Sequence, residues 1–169
     1  MTQPTRALAA AAITAIALTA CSGWSPEADT VDLRVGDCLR LGGIARRPVA
    51  VKVACGSRAS NFKVAATVPT REQCPGDVDS AYSARNGFSE THTACLDIDW
   101  AVGECMSVDP DNRTDPVPAD CNDESVPHRQ RATQILTGLS DPVSVDQCLS
   151  GVGYAYAERR FAVCVEDVG

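Results

Sequence analysis

The sequence predicts an α+β protein built from two tandem disulfide-stapled halves, each β-β-β-α-β, packed as one pseudo-symmetric unit. Three observations predict it. Eight of the nine cysteines fall into two sets of four, short apolar runs of strand-like period recur between turn signals, and a Thr/Ser-x-x-Gln capping pattern stands before the third cysteine of each set.

The repeat is direct. Val35-Gly36-Asp37-Cys38-Leu39 returns as Val102-Gly103-Glu104-Cys105-Met106, and Thr70-Arg71-Glu72-Gln73-Cys74 returns as Ser144-Val145-Asp146-Gln147-Cys148. Ala94-Cys95-Leu96-Asp97 returns as Val163-Cys164-Val165-Glu166. With Cys55 and Cys121 added, the matching cysteines are offset by 67, 66, 74 and 69 positions, a tandem duplication with drifting loops.

In the first half, strands are expected over Leu33 to Leu41, Val49 to Cys55 and Asn61 to Val68. A short helix comes after Thr70, interrupted or restarted at Pro75-Gly76, and a last strand runs from Thr93. In the second, strands are expected over Gly103 to Val108, Val117 to Cys121 and Ala132 to Leu139, then a helix from Val145 and a strand over Arg160 to Val168. Asn86-Gly87 marks a bend, and Asp109-Pro110 ends a strand. Leu96, Ile98, Trp100 and Val102 alternate with Asp97, Asp99 and Ala101, which predicts one strand running from the first half into the second.

The duplication narrows the 105 pairings open to eight cysteines. The first two cysteines of each half flank a turn-like segment, Arg46-Arg47-Pro48 or Asp111-Asn112-Arg113. Opposed hairpin residues have Cα atoms roughly 4.5 to 5.5 Å apart, within disulfide reach. Cys38–Cys55 and Cys105–Cys121 are therefore expected, with Cys74–Cys95 and Cys148–Cys164 pinning each helix to its sheet. Zinc is disfavoured, since no C-x-x-C occurs and neither histidine has a suitably spaced partner. No metal or cofactor is expected.

The N-terminus reads as an exported lipoprotein signal over 1–20. Arg6 forms a positive start, Ala7 to Ala20 are mostly apolar and too few to span a bilayer, and Leu18-Thr19-Ala20-Cys21 forms a lipidation box. Processing enzymes would acylate the Cys21 thiol, anchoring the chain to the outer face of the plasma membrane. Residues 21–31, with polar Ser22 to Thr30, read as a tether, with the two halves after it at 32–101 and 102–169.

A formal net charge of −7 argues against nucleic acid and against adhesion to anionic lipid, both of which need basic patches. The doublets Arg46-Arg47 and Arg159-Arg160 read as solvated surface. Two Trp, three Tyr and three Phe are few for this length, so the core is thin and cross-links supplement it.

Candidate chemistry is sparse. Asp97 and Asp99 share a strand face as a conceivable acid/base pair, but neighbours at i and i+2 point the same way and read as solvated. Asp109, Asp111 and Asp115 resemble a calcium loop that lacks its central Gly and closing Glu, and read as a turn. His92 and His128 read as surface residues, and no G-x-S-x-G, P-loop or HExxH occurs. Trp24, Phe88, Tyr154 and Tyr156 are expected to pack against the helices rather than form an aromatic patch.

The lipidation box, with VGDCLRL, VKVACGS, SNFKVAATV, EQC and CLDIDWAVGEC after it, resembles the LppU-type lipoproteins of mycobacteria and related actinobacteria. Each half also resembles the cysteine-containing septum-formation domain, with its G-D-C opening and a C…P-H segment seen at Cys121 to Pro127-His128. In the first half, Cys55 leads instead into Gly56-Ser57-Arg58. The resemblance implies a membrane-anchored envelope lipoprotein and supplies no catalytic residues. The expected function is a non-enzymatic envelope interaction or scaffold module with an envelope protein as partner. The alternative is a small-ligand carrier or sensor with a pocket between the halves, and a hydrolase using acidic pairs ranks third.

Overall fold

The computed structural model describes residues 32–44, 47–86 and 89–169. Cys21, the signal segment and the tether lie outside them. Among the described residues the architecture is all-β, which corrects the expected α+β class: two antiparallel five-stranded sheets and a single 3-10 turn, Arg71–Gln73. The first sheet holds β1 (Cys38–Ile44), β2 (Arg47–Val53), β3 (Phe62–Val68), β4 (Ser80–Asn86) and β5 (Ser89–Ile98) in the order β2-β1-β3-β5-β4. The second holds β6 (Cys105–Ser107), β7 (Val117–Ala119), β8 (Arg129–Thr137), β9 (Gly153–Tyr156) and β10 (Phe161–Asp167) in the equivalent order β7-β6-β8-β10-β9.

The duplication reaches down to single hydrogen bonds. Before β1, Asp37 N donates to Arg34 O with Gly36 at φ +90°, and before β6, Glu104 N donates to Ala101 O with Gly103 at φ +91°. Both are type II turns, whose third position demands positive φ and hence glycine. Gly36 N then donates to Val64 O, and Gly103 N to Ala132 O. A β-bulge also recurs: Val64 and Ala66 face Leu96 and Cys95, while Ala132 and Gln134 face Val165 and Cys164. The extra residue re-aims each strand at the same step of the repeat.

Both expected helices are absent, for local reasons. Thr70 N does donate to Gln73 Oε1 at 3.4 Å, the reciprocal capping contact, but Cys74 precedes Pro75 and sits extended at φ −64°, ψ 148°. Proline's ring excludes the helical region for the residue before it, so the turn stops after three residues. In the second half, Ser144 Oγ accepts from Asp146 N at 3.2 Å, and Gly151 at φ +64° ends two successive turns. Leu149 is fully exposed there, so no apolar face exists to hold a helix against the sheet.

Strands β4 and β9 take the places expected to hold helix or loop, each pairing along the last strand of its half. The joining strand is also corrected. β5 ends at Ile98, where Asp99 N turns to Asn61 O and Trp100 N donates back to Ile98 O at 2.8 Å, breaking the ladder. Val102 is exposed rather than packed.

Leu39, Phe62, Val64 and Leu96 from the first sheet share one buried cluster with Met106, Ala132, Tyr156, Val163 and Val165 from the second. Asn61, also buried, ties an edge of this core. Its Oδ1 accepts from Leu41 N at 2.8 Å, and its Nδ2 donates to Leu41 O at 2.9 Å and to Pro116 O at 3.2 Å across the junction. Asn61→Ala leaves the Leu41 backbone groups unpaired, and a loss of about 2–3 kcal/mol in urea unfolding is expected. A loss below about 1 kcal/mol would show that water replaces the amide.

Candidate functional site

All eight cysteines among the described residues are bridged. Cys38–Cys55 and Cys105–Cys121 have Cα separations of 5.0 and 5.3 Å, and Cys74–Cys95 and Cys148–Cys164 of 5.6 and 5.3 Å. The geometry differs from the expectation in two respects. Cys38 opposes Val53 and Cys105 opposes Ala119, so the hairpin bridges run diagonally to a cysteine two residues past the pair. The other two bridges join a turn to a strand, not a helix to a strand. Cys38, Cys55 and Asp99 place ligand-type atoms within 4.8 Å of one another, but both sulfurs are consumed in a disulfide and Asp99 Oδ2 accepts from Gly56 N at 2.7 Å.

The notable polar chemistry lies where the halves meet. Arg159, in the turn between β9 and β10, reaches into the first half. Its Nε donates to Asp77 Oδ1 at 2.9 Å, its Nη2 to Asp77 O at 3.1 Å, and its Nη1 to Asp97 Oδ2. The backbone N–H groups of Glu158 and Arg159 donate to Asp77 Oδ2 at 2.9 and 3.3 Å. The guanidinium also lies 5.0 and 5.2 Å from the ring centroids of Tyr156 and Phe161, which stack on each other at 4.2 Å. One arginine thereby ties two carboxylates of the first half to an aromatic pair of the second.

Beside it, Tyr156 Oη donates to Asp79 Oδ2 at 2.7 Å, and Ile98 N donates to the same oxygen at 2.8 Å. Burial pushes the Asp79 carboxyl above its ordinary range despite these donors, and burial likewise raises Asp97 despite Arg159. Burial raises the Tyr156 phenol as well, with the Asp79 charge adding to it. Tyr154, whose Oη donates to Gln130 Oε1 at 2.5 Å, is pushed up to about 12, chiefly by burial.

A carboxyl raised in the folded state favours folding in its protonated form. That contribution is full below the unfolded carboxylate pKa and is lost as pH rises through the folded one. Asp79→Asn keeps an oxygen for both donors and removes a charge that partial desolvation disfavours. It is expected to match or exceed the parent in stability at neutral pH, with the advantage shrinking on acidification through the folded Asp79 pKa. Urea midpoints measured across pH check this, and an advantage that grows on acidification would contradict it.

Next to the Arg159 cluster lies a half-open cleft of about 470 Å³ between the halves, with Val64, Ile98, Trp100, Phe161 and Val163 among its walls. Trp100 packs against Tyr154 at 5.3 Å between ring centroids.

Several expected placements change here. Asp97 and Asp99 are not a solvated face: Asp99 is buried and Asp97 is mostly so. Arg159 is a half-buried junction residue, whereas Arg160 stays exposed with Asp141 at 3.1 Å. Tyr154 and Tyr156 pack between sheets, not against helices. Trp24, Phe88, Arg46 and the Arg47 side chain lie outside the described residues, whereas His92 is exposed, as expected. His128 is exposed, at φ +54°. Asp109 shapes its own turn, accepting from Asp111 N at 2.9 Å and from the Thr114 hydroxyl at 3.3 Å. Arg58, reaching Asp120 at 3.3 Å, adds an exposed contact across the junction.

Asp77, Asp79 and Asn61 carried no sequence signal taken alone. A comparison of the duplicates does single out Asp79: strand register makes Gly151 its counterpart in the other half, so the repeat itself does not require a carboxylate there. Compared with known proteins, the chain matches no family model, no curated protein and no solved structure.

Proposed function

We propose that this chain is an exported lipoprotein, held by acyl chains on Cys21 at the outer face of the plasma membrane, and that its stapled body acts there as a non-enzymatic interaction module. The observation that carries the reading is the set of four disulfides. Such bonds persist in oxidising compartments and are reduced in the cytosol, so a thin-cored domain that depends on them belongs outside the membrane. The lipidation box and the resemblance to LppU-type lipoproteins support the same placement. The junction carboxylates serve the fold on this reading, since Arg159, Tyr156 and backbone N–H groups occupy them.

Metabolic labelling with an alkyne fatty acid tests the anchor. The parent is expected to carry the label and sediment with membranes, and Cys21→Ser to lose both. Crosslinking from intact cells then tests the module: a partner recovered with the anchored chain and lost with Cys21→Ser supports it. An unlabelled parent, or a partner set identical for the two forms, would overturn the membrane-tethered reading.

A further inference from the structure

We infer that the junction cleft takes the acyl chain of a single membrane lipid with an anionic head group. The inference rests on the membrane-tethered reading and names what the tethered body binds.

The accessible part of the lining is apolar. Val35 and Ile135 are 65% and 40% exposed at the rim, and Ala65 and Phe161 are half-buried beside them, over a floor that includes buried Val64 and Ile98. Exposed apolar side chains are ordinary when scattered singly. Here they converge from the entry segment before β1 and from β3, β8 and β10 on one cleft of about 470 Å³, a volume within the range of small-molecule pockets. An alkyl chain laid along such walls takes its own methylene groups and theirs out of water.

Charge at the rim sets the sign of the head group. Arg159 is held by Asp77 and Asp97, and Asp99 Oδ2 accepts from Gly56 N. Lys63 is exposed and makes no ion pair among the described residues, while its cross-strand neighbour Asp97 is engaged by Arg159. Among the charges of the lining, its ammonium is the one still open to a ligand, and it favours a phosphate or carboxylate. An exposed pair is worth little, so the tail supplies the affinity and Lys63 the preference. This is capture of one lipid, not adhesion of a basic face.

The entry of the chain into the body makes the membrane the source. Gly36 N donates to Val64 O at 2.9 Å, which fastens the entry segment to the cleft wall. Val35 follows Cys21 by 14 positions, so the rim lies no more than roughly 50 Å from the acylated residue with the chain fully extended. A coil of that length averages roughly 20 Å. The exposed apolar rim is thus near the bilayer along the chain.

The test has a soluble and a tethered arm. In the first, the full chain carrying Cys21→Ser, its disulfides intact, is titrated calorimetrically with octanoate, decanoate and decylammonium. Decanoate is expected to bind saturably, about tenfold more tightly than octanoate because two further methylenes are buried, and about threefold more tightly than decylammonium. Lys63→Glu is expected to reverse that preference and to leave the chain-length dependence intact. Ala65→Phe fills the cleft and is expected to abolish binding; Ile135→Asp puts a carboxylate at the exposed rim and weakens decanoate about tenfold should the first variant fail to fold. In the second arm, the acylated chain carrying Trp24→Phe, which leaves Trp100 as its one tryptophan, is reconstituted in phosphatidylglycerol vesicles with brominated acyl chains. Quenching of Trp100 in the cleft is expected, and its loss in the Ile135→Asp form.

Absence of saturable decanoate binding, indifference to chain length, a preference unmoved by Lys63→Glu, or undiminished binding to a folded Ala65→Phe or Ile135→Asp chain would overturn the inference. Decanoate binding with no quenching by the vesicles would overturn the membrane as the source. Failure of the cleft leaves the membrane-tethered reading standing, because labelling and crosslinking in cells read that separately.

Discussion

Removing the Cys74–Cys95 bridge by the double substitution Cys74→Ala, Cys95→Ala is expected to destabilise the protein by about 2–5 kcal/mol, the usual range for a native disulfide in a small exported domain. The chain closed by this bond spans 21 positions, from a turn that no helix stabilises to a fully buried residue of β5. Among the described residues, the segment between β3 and β4 contributes no member to the buried apolar cluster. Without the bond, only the polar contacts of Asp77 and Asp79 hold it to the rest of the fold. The four bridges close loops of similar size, each worth about 3 kcal/mol in the chain-entropy model, so together they are comparable with the whole net stability of a domain. Full reduction at neutral pH is therefore expected to unfold the protein at room temperature. Urea titration of the double variant and circular dichroism of the reduced parent are the measurements. A reduced chain that keeps its cooperative transition would show that the apolar core suffices alone.

Arg159→Ala is expected to cost about 3 kcal/mol, and to do so by loosening the halves from each other. The substitution strands Asp77 and Asp97, both largely shielded from solvent, without their counter-ion, and removing one partner of a buried pair is far costlier than the net worth of the pair. It also uncovers one face of the Tyr156–Phe161 stack. Arg159→Lys should recover only part of the loss, because an ammonium cannot serve Asp77 Oδ1, Asp77 O and Asp97 Oδ2 together. A double-mutant cycle with Asp77→Ala, read by urea unfolding, isolates the pair. A coupling near zero would mean that the arginine is a bystander at a junction held by the other contacts between the halves. Hydrogen exchange offers a second readout: faster exchange is expected at the Glu158 and Arg159 amides, which donate to Asp77 in the parent.

The amino-acid sequence by itself determined the duplication, the partners of each cysteine and the strands whose apolar residues alternate. Those features are local or repeat-borne. A cysteine has few partners its loop can reach, and a run such as Phe62 to Val68 declares its buried face through alternation. The missing helices were misread because a capping pattern marks only a helix start. Whether the helix continues depends on the residues beyond the cap, and here Pro75 and the fully exposed Leu149 stop it. Strands β4 and β9 escaped notice because Ser80–Asn86 is rich in small and polar residues and Gly153–Tyr156 has only four residues, and they become strands by pairing with an existing edge.

Only the tertiary structure decided the junction. Asp77 and Asp79 sit in an unremarkable loop, Asp97 on what reads as a wet strand face, and Arg159 in a basic doublet at a turn. Residues up to 82 positions apart meet because two sheets pack, and that packing excludes the water each charge would otherwise have kept. Burial is a property of the assembled pair of sheets, so neither the raised carboxyls nor the cleft beside Trp100 leaves a pattern along the chain.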